Sequence, residues 1–177
     1  ELRFLDRFKF MSSSLDALVN NLFKNQCKIT GSKYSGKKLD LLLRKGVYPY
    51  DYMSCLDTLD ETKLPPKSAF YSKLNDSEIS DADYSHAQEV WKEFECKTFR
   101  DYHNLYNEGD VLLLADVFKN FRDVCLQHYK LDPAWYYTSP GLSWDACLKL
   151  TKIELELLSD YDMILLFVFK ITNIKLF

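Results

Sequence analysis

The sequence predicts a mainly α-helical chain with few short strands, part of an α/β domain followed by a helical segment. Three observations carry this. Apolar residues recur at helical spacing over long stretches, above all from Thr98 to about Tyr129, where Val111, Leu114, Ala115, Phe118, Arg122 and Cys125 trace one side. Alternation with a period of two is confined to the start, where Leu2, Phe4, Phe8 and Phe10 fall at even positions as in a half-buried strand. A chain of 177 residues with 47% apolar content is also long enough for one good core.

After that strand, Ser12, Ser13 and Ser14 offer caps to a helix carrying Leu15, Leu18, Val19, Leu22 and Phe23. Residues 24–38 hold Gly31 and Gly36 among serines and lysines and read as an exposed loop. A short apolar run, a turn at Lys45-Gly46 and an aromatic segment kept extended by Pro49 come next. Residues 56–80 read as loop, marked by Pro65-Pro66. Ser80 and Asp83 form a capping-box pattern that opens a helix through Val90, Trp91 and Phe94. The long helix from Thr98 follows, Asp132-Pro133 ends it, and a further helix starts with Pro140 in its first turn.

Charge is unevenly spread behind a net value of -3. From Lys24 to Lys45 seven basic residues stand against Asp40 alone, and from Asp76 to Asp110 ten acids stand against three bases. The basic segment is either a phosphate-facing surface or a solvated loop. Five cysteines without a C-x-x-C spacing and without a visible targeting segment predict a reducing, intracellular compartment and no structural zinc. The first residue is Glu1, so the chain is expected to begin inside a longer reading frame. The final apolar stretch, interrupted by Lys170 and Lys175, is too short and broken for a membrane span, which needs roughly 20 apolar residues.

Tyr106 and Asp110 share one helix face at i and i+4, with Leu114 and Val117 expected to continue that face toward the core. A carboxylate beside a phenol can hold a divalent cation while the phenol orients a water, as phosphodiester hydrolysis requires. With 12 Tyr and 17 Asp in the chain, chance supplies about one such pair, and one is present. On spacing alone Asp110 also reads as a helix-start acid after Gly109. Lys45-Gly46 ahead of Tyr48, Tyr50 and Tyr52 suits a single strand, with phosphates on the lysine and bases on the rings, or a tyrosine-rich turn packed on the core. No glycine loop for phosphates and no H-e-x-x-H pattern occurs, and His86, His103 and His128 read as surface or packing residues.

The stretches FKFMSSSLDALVNNL (8–22), LLLRKGVYPYDYM (41–53), LPPKSAFYSKLNDSEISDADYSHAQEVWKEF (64–94), DYHNLYNEGDVLLLADVFKNFRDVC (101–125) and LDPAWYYTSPGLSWDACLKLTKIELELLSD (131–160) occur in one order. Together they resemble the B-family DNA polymerases of the protein-primed type, known from organellar plasmids, viruses and large self-replicating transposons. The resemblance runs from residue 2 to about 163. It implies a ribonuclease H-like α/β fold for residues 1–130, as the rear of a 3'-5' exonuclease domain. Residues 131–162 become a helical connection toward the polymerase domain, and 163–177 an apolar tail foreign to the family.

Carried over by position, the resemblance makes Asp110 a ligand of a catalytic metal and Tyr106 the residue that positions the attacking water. Lys45 assists near the scissile phosphate, and Tyr50 helps seat the primer's 3' end. Phe8 contacts single-stranded DNA, although Arg7 stands where the family has serine. Ser139 and Leu142 belong to a segment implicated in contacts with DNA and the priming protein, with Pro140 where the family has leucine. Mg²⁺ or Mn²⁺ is implied for the complete enzyme. The other carboxylates of the exonuclease are expected upstream and the polymerase motifs downstream, so this chain alone is expected to be inactive and to bind no metal tightly. DNA, a single-stranded primer end, and a terminal priming protein are the implied partners. The alternative is a non-enzymatic helical module that binds nucleic acid or protein.

Overall fold

The computed structural model describes residues 4–155 and 160–165. Its spine is the long helix α5 (Phe99–Tyr129). Asp101 caps its start, accepting from the backbone of Lys97 (2.9 Å) and Thr98 (3.0 Å) and from the Thr98 hydroxyl (3.2 Å). These bonds satisfy donors that the first turn leaves unpaired, and they hold the Asp101 carboxyl below its usual range. Lys130, at φ 56°, closes the other end in the left-handed conformation. Phe99, Tyr102, Leu105, Gly109, Leu113, Asp116, Val117 and Cys125 form its buried side.

Five shorter helices pack around this spine: α1 (Leu15–Val19), α2 (Lys28–Lys33), α3 (Gly36–Leu42), α4 (Asp81–Glu93) and α6 (Ser139–Thr151). The first half of α5 enters the larger core with Leu41 and Leu42 of α3, Ala87 and Val90 of α4, and Leu59 and Phe70. The latter two ride on 3-10 turns at Leu56–Asp60 and Lys67–Phe70 within the stretch read as loop. Farther along, Leu113 and Val117 form a second core with Val19, and Met11, Leu15, Leu18 and Leu22 pack against it. Gly109 lies at the junction, where a Cβ would sit 3.4 Å from the Leu42 side chain.

The helix expected from Ser80 is present, with Ser80 Oγ accepting from the Asp83 amide at 3.1 Å. Among the described residues the mainly helical expectation holds, and the only β pairing is the isolated bridge Ser72–Ser77.

Four expectations are corrected. The strand predicted at the start is, where described, a 3-10 turn at Arg7–Lys9. Asp6 accepts from the Phe8 amide at 2.9 Å, a local bond that competes with extension where no neighbouring strand offers a ladder. The loop predicted over 24–38 is helical. Its α2 is capped from another helix: Asp116 accepts from the amides of Ile29 (2.7 Å) and Thr30 (2.9 Å) and from the Thr30 hydroxyl (2.6 Å). Asp110 is not a helix-start acid, because α5 begins at Phe99 and Asp110 sits three turns inside it. Of the side traced by Val111, Leu114, Ala115, Phe118, Arg122 and Cys125, the first two are exposed (65% and 37%), the middle three half-buried and Cys125 buried, whereas Leu113 and Val117 point inward (1% and 4%). Of the two residues expected to carry the Asp110 face to the core, Val117 does and Leu114 does not. Most of the apolar tail, residues 166–177, lies outside the described residues.

Candidate functional site

The segment after α3 runs alongside α5 and is tied to it residue by residue. Tyr102 donates its hydroxyl hydrogen to the Val47 carbonyl at 2.6 Å. The Tyr48 hydroxyl meets His103 Nδ1 at 2.8 Å, and Asn107 Nδ2 meets His103 Nε2 at 2.9 Å. The Tyr50 hydroxyl is hydrogen-bonded to the Tyr106 hydroxyl. Pro49, fully buried, is not the centre of the extended run expected from the sequence: the Tyr50 amide donates to the Tyr48 carbonyl at 3.1 Å and the Tyr52 amide to the Pro49 carbonyl at 3.2 Å, so the segment turns tightly here.

Tyr106 is held from three directions. The Tyr48 ring lies 4.9 Å from it at 31°, and the Tyr50 ring stands edge-on at 6.1 Å and 86°. On the third side the Gly46 backbone presses so close that a Cβ there would come within 2.9 Å of Tyr106 Cδ2. Only glycine allows that approach. One turn on, Asp110 shares the Tyr106 face. Its Oδ1 is buried with no hydrogen-bond partner. A cavity of about 20 Å³, space for about one water, lies between Leu42, Gly46, Tyr106, Gly109 and Asp110.

Burial raises the Asp110 carboxyl above its usual range, against the opposing pull of the Tyr106 hydroxyl and the Lys45 charge. Burial also pushes the Tyr106 phenol far above the ordinary tyrosine range, helped by the bond with Tyr50 and the charge of Asp110. Tyr106 is therefore a neutral hydroxyl at every working pH, able to donate one hydrogen and accept another.

Tyr50, Tyr106 and Asp110 thus come together, and the Lys45 charge acts on Asp110. The other candidates do not join them. Phe8 is 58% exposed. The residues just before it, Leu5 to Arg7, line an open groove with Val111, Leu114 and Phe118, on the stretch of α5 following Asp110. Leu142 is 5% exposed and lines, with Ser139, a cavity beside Phe121, Cys125 and Tyr129 toward the end of α5. Tyr52 turns away and donates to the Glu61 carboxylate at 2.7 Å.

Three of the seven basic residues are matched by the acidic segment. Lys33 pairs with Glu108, Lys37 with Glu89 and Glu93, and Arg44 with Asp83, while Lys24 pairs with Asp40. The two charge blocks visible in the sequence therefore face each other. Lys28, Lys38 and Lys45 stand outside these pairs, and the Lys45 charge acts on Asp110.

Sequence reasoning missed Tyr102, His103 and Asp116 as organising residues. Their roles depend on partners 55 or more positions away, which no local pattern encodes. Among the described residues no three His, Cys, Asp or Glu side chains converge as metal ligands. The donors around Asp110 therefore do not by themselves fit a metal ion, despite the free Oδ1. No helix among the described residues is long and apolar enough to cross a membrane. No family model, curated protein or solved structure matches the chain.

Proposed function

We propose that this cleft seats the end of a single DNA strand, and that the chain is part of the 3'-5' exonuclease region of a protein-primed B-family DNA polymerase acting in DNA replication. One observation supports the reading above the rest. Tyr50 and Tyr106, singled out by resemblance and 56 positions apart, meet through their hydroxyls, with Asp110 one turn farther along the helix and the Lys45 charge acting on it.

The chemistry is suited to a strand end. Lys45 neutralises a phosphate, Tyr50 offers a ring 63% exposed for a base, and Tyr106 offers a neutral hydroxyl beside a carboxylate. A single carboxylate cannot hold the two ions of two-metal phosphoryl chemistry. The chain on its own is therefore read as binding a strand without cleaving it. The link of Ser139 and Leu142 to DNA or to a priming protein rests on the resemblance alone.

Fluorescence anisotropy on labelled oligothymidylate tests the reading. Lys45→Ala is expected to lower the slope of log K against log salt by roughly 0.7, one single-strand phosphate contact. Tyr50→Ala is expected to cost about 1–3 kcal/mol with little change in slope, because stacking releases few ions. Equal binding of duplex and single strand, with both variants like wild type, would overturn it. A helical protein-interaction module is the second reading, favoured by the uncovered groove along Val111, Leu114 and Phe118, and that result would leave it standing.

A further inference from the structure

We propose that Tyr50 gates the Asp110 cleft and selects ligands that carry an unpaired base, a role that rests on the strand-binding reading above. Tyr50 sits on the turn that follows Pro49, and its ring lies outside the core with 63% of the residue exposed. Its hydroxyl nevertheless reaches back to the Tyr106 hydroxyl, the polar group nearest the Asp110 carboxylate. Its ring rests edge-on against Tyr48 at 5.1 Å. Tyr48 is itself fixed by His103 and does not depend on Tyr50 for its place.

The Tyr50 hydroxyl thus stands where an oxygen of a ligand would meet Tyr106. Behind it, Asp110 Oδ1 is shut from solvent and without a partner. A ligand that takes up the Tyr106 hydroxyl, on the way to Asp110, must first break the bond between the two tyrosines. That bond carries a net penalty of about 2- to 12-fold in affinity, the equivalent of one neutral hydrogen bond. The freed ring is then available to an unpaired base, and stacking repays roughly 5- to 150-fold. A phosphate or a sugar-phosphate chain without bases meets the penalty with no such return. Access to Asp110 is conditional on a base.

Two oligomers of equal length separate these contributions: oligothymidylate and an abasic phosphodiester. Tyr50→Phe keeps the ring and loses the hydroxyl, and is expected to bind both oligomers about 2- to 12-fold more tightly than wild type. Tyr50→Ala loses ring and hydroxyl together. It is expected to bind the abasic oligomer more tightly than wild type and oligothymidylate more weakly, a change of sign that a packing role would not produce. Without any ligand, ¹³Cζ-tyrosine NMR reads the contact itself, and the Tyr106 resonance is expected to move in Tyr50→Phe. An unmoved Tyr106 resonance, or weaker binding of either oligomer by Tyr50→Phe, would overturn the gate. A moved resonance with no binding of either oligomer by wild type or Tyr50→Phe would overturn the strand reading, and the selectivity with it.

Discussion

Replacing Asp116 by alanine tests how the short helices are held on α5. Asp116 is fully buried and receives three hydrogen bonds, from the amides of Ile29 and Thr30 and from the Thr30 hydroxyl. Thr30 is also fully buried, so its amide and hydroxyl find no water when the carboxylate goes. Bonds to a charged acceptor contribute about 1.5–3 kcal/mol each, and each buried donor left unpaired costs about 1–3 kcal/mol. These are two views of one loss and do not add. The expected cost of Asp116→Ala is about 3–5 kcal/mol, the scale for leaving two or three buried donors unpaired. Against a total stability of roughly 5–15 kcal/mol, that is a large share. Thr30→Val removes only the hydroxyl bond and is expected to cost about 1–2 kcal/mol. Urea unfolding followed by far-UV circular dichroism measures both, and hydrogen exchange at Ile29 and Thr30 locates the damage. Asp116→Ala within 1 kcal/mol of wild type, or milder than Thr30→Val, would refute the cap as the anchor of α2.

Two further outcomes follow from the cleft. The folded pKa of Asp110 lies above its unfolded value, so its contribution to stability is full below about pH 4 and is lost as pH rises through the folded value. Asp110→Asn is accordingly expected to stabilise the chain at pH 7 by about 0.5–2 kcal/mol, with the gain vanishing below about pH 4 in urea titrations across pH. Gly46→Ala places a methyl 2.9 Å from Tyr106 Cδ2 and is expected to cost about 1–3 kcal/mol. In a double-mutant cycle with Tyr106→Ala, most of that cost should disappear.

The helices that carry their own caps were legible in the sequence. Ser80 with Asp83 places donor and acceptor three residues apart, and its helix starts where that pair predicts; the long helix also starts near Thr98 as expected, capped by an Asp101 that the sequence analysis did not single out. The helix that went unpredicted within residues 24–38 is stabilised from a distance. Lys28–Lys33 reads as loop because two glycines, serines and lysines dominate its neighbourhood, and its helix exists through a carboxylate 86 positions away. The side of α5 was misjudged for a different reason. Val111, Leu114 and Phe118 are as apolar as Leu113 and Val117, and periodicity ranks a stripe by its content alone. It cannot tell which of two adjoining stripes meets α1 and α3.

Two aspartates on α5, six positions apart, show how the helix divides its work. Asp116 is completely buried and completely satisfied. Asp110 keeps one buried oxygen with no partner, in a cleft where burial already disfavours its charge. A polar atom left unpaired inside a protein is costly, and native structures hold few. The cavity beside it is lined by Leu42, Gly46, Tyr106 and Gly109, and of these only the Tyr106 hydroxyl favours the charged form. The self-pairing of the basic and acidic segments sharpens the point. It uses up Lys33, Lys37 and Arg44 on Glu108, Glu89, Glu93 and Asp83, yet brings no cation into bonding contact with Asp110 Oδ1. Stability is thus spent at Asp110 and recovered at Asp116, the pattern expected when a residue is kept for what it meets from outside the fold. Under the proposed strand-binding reading, Asp110, and not the more elaborate hydrogen bonding of Asp116, is where the helix meets its ligand.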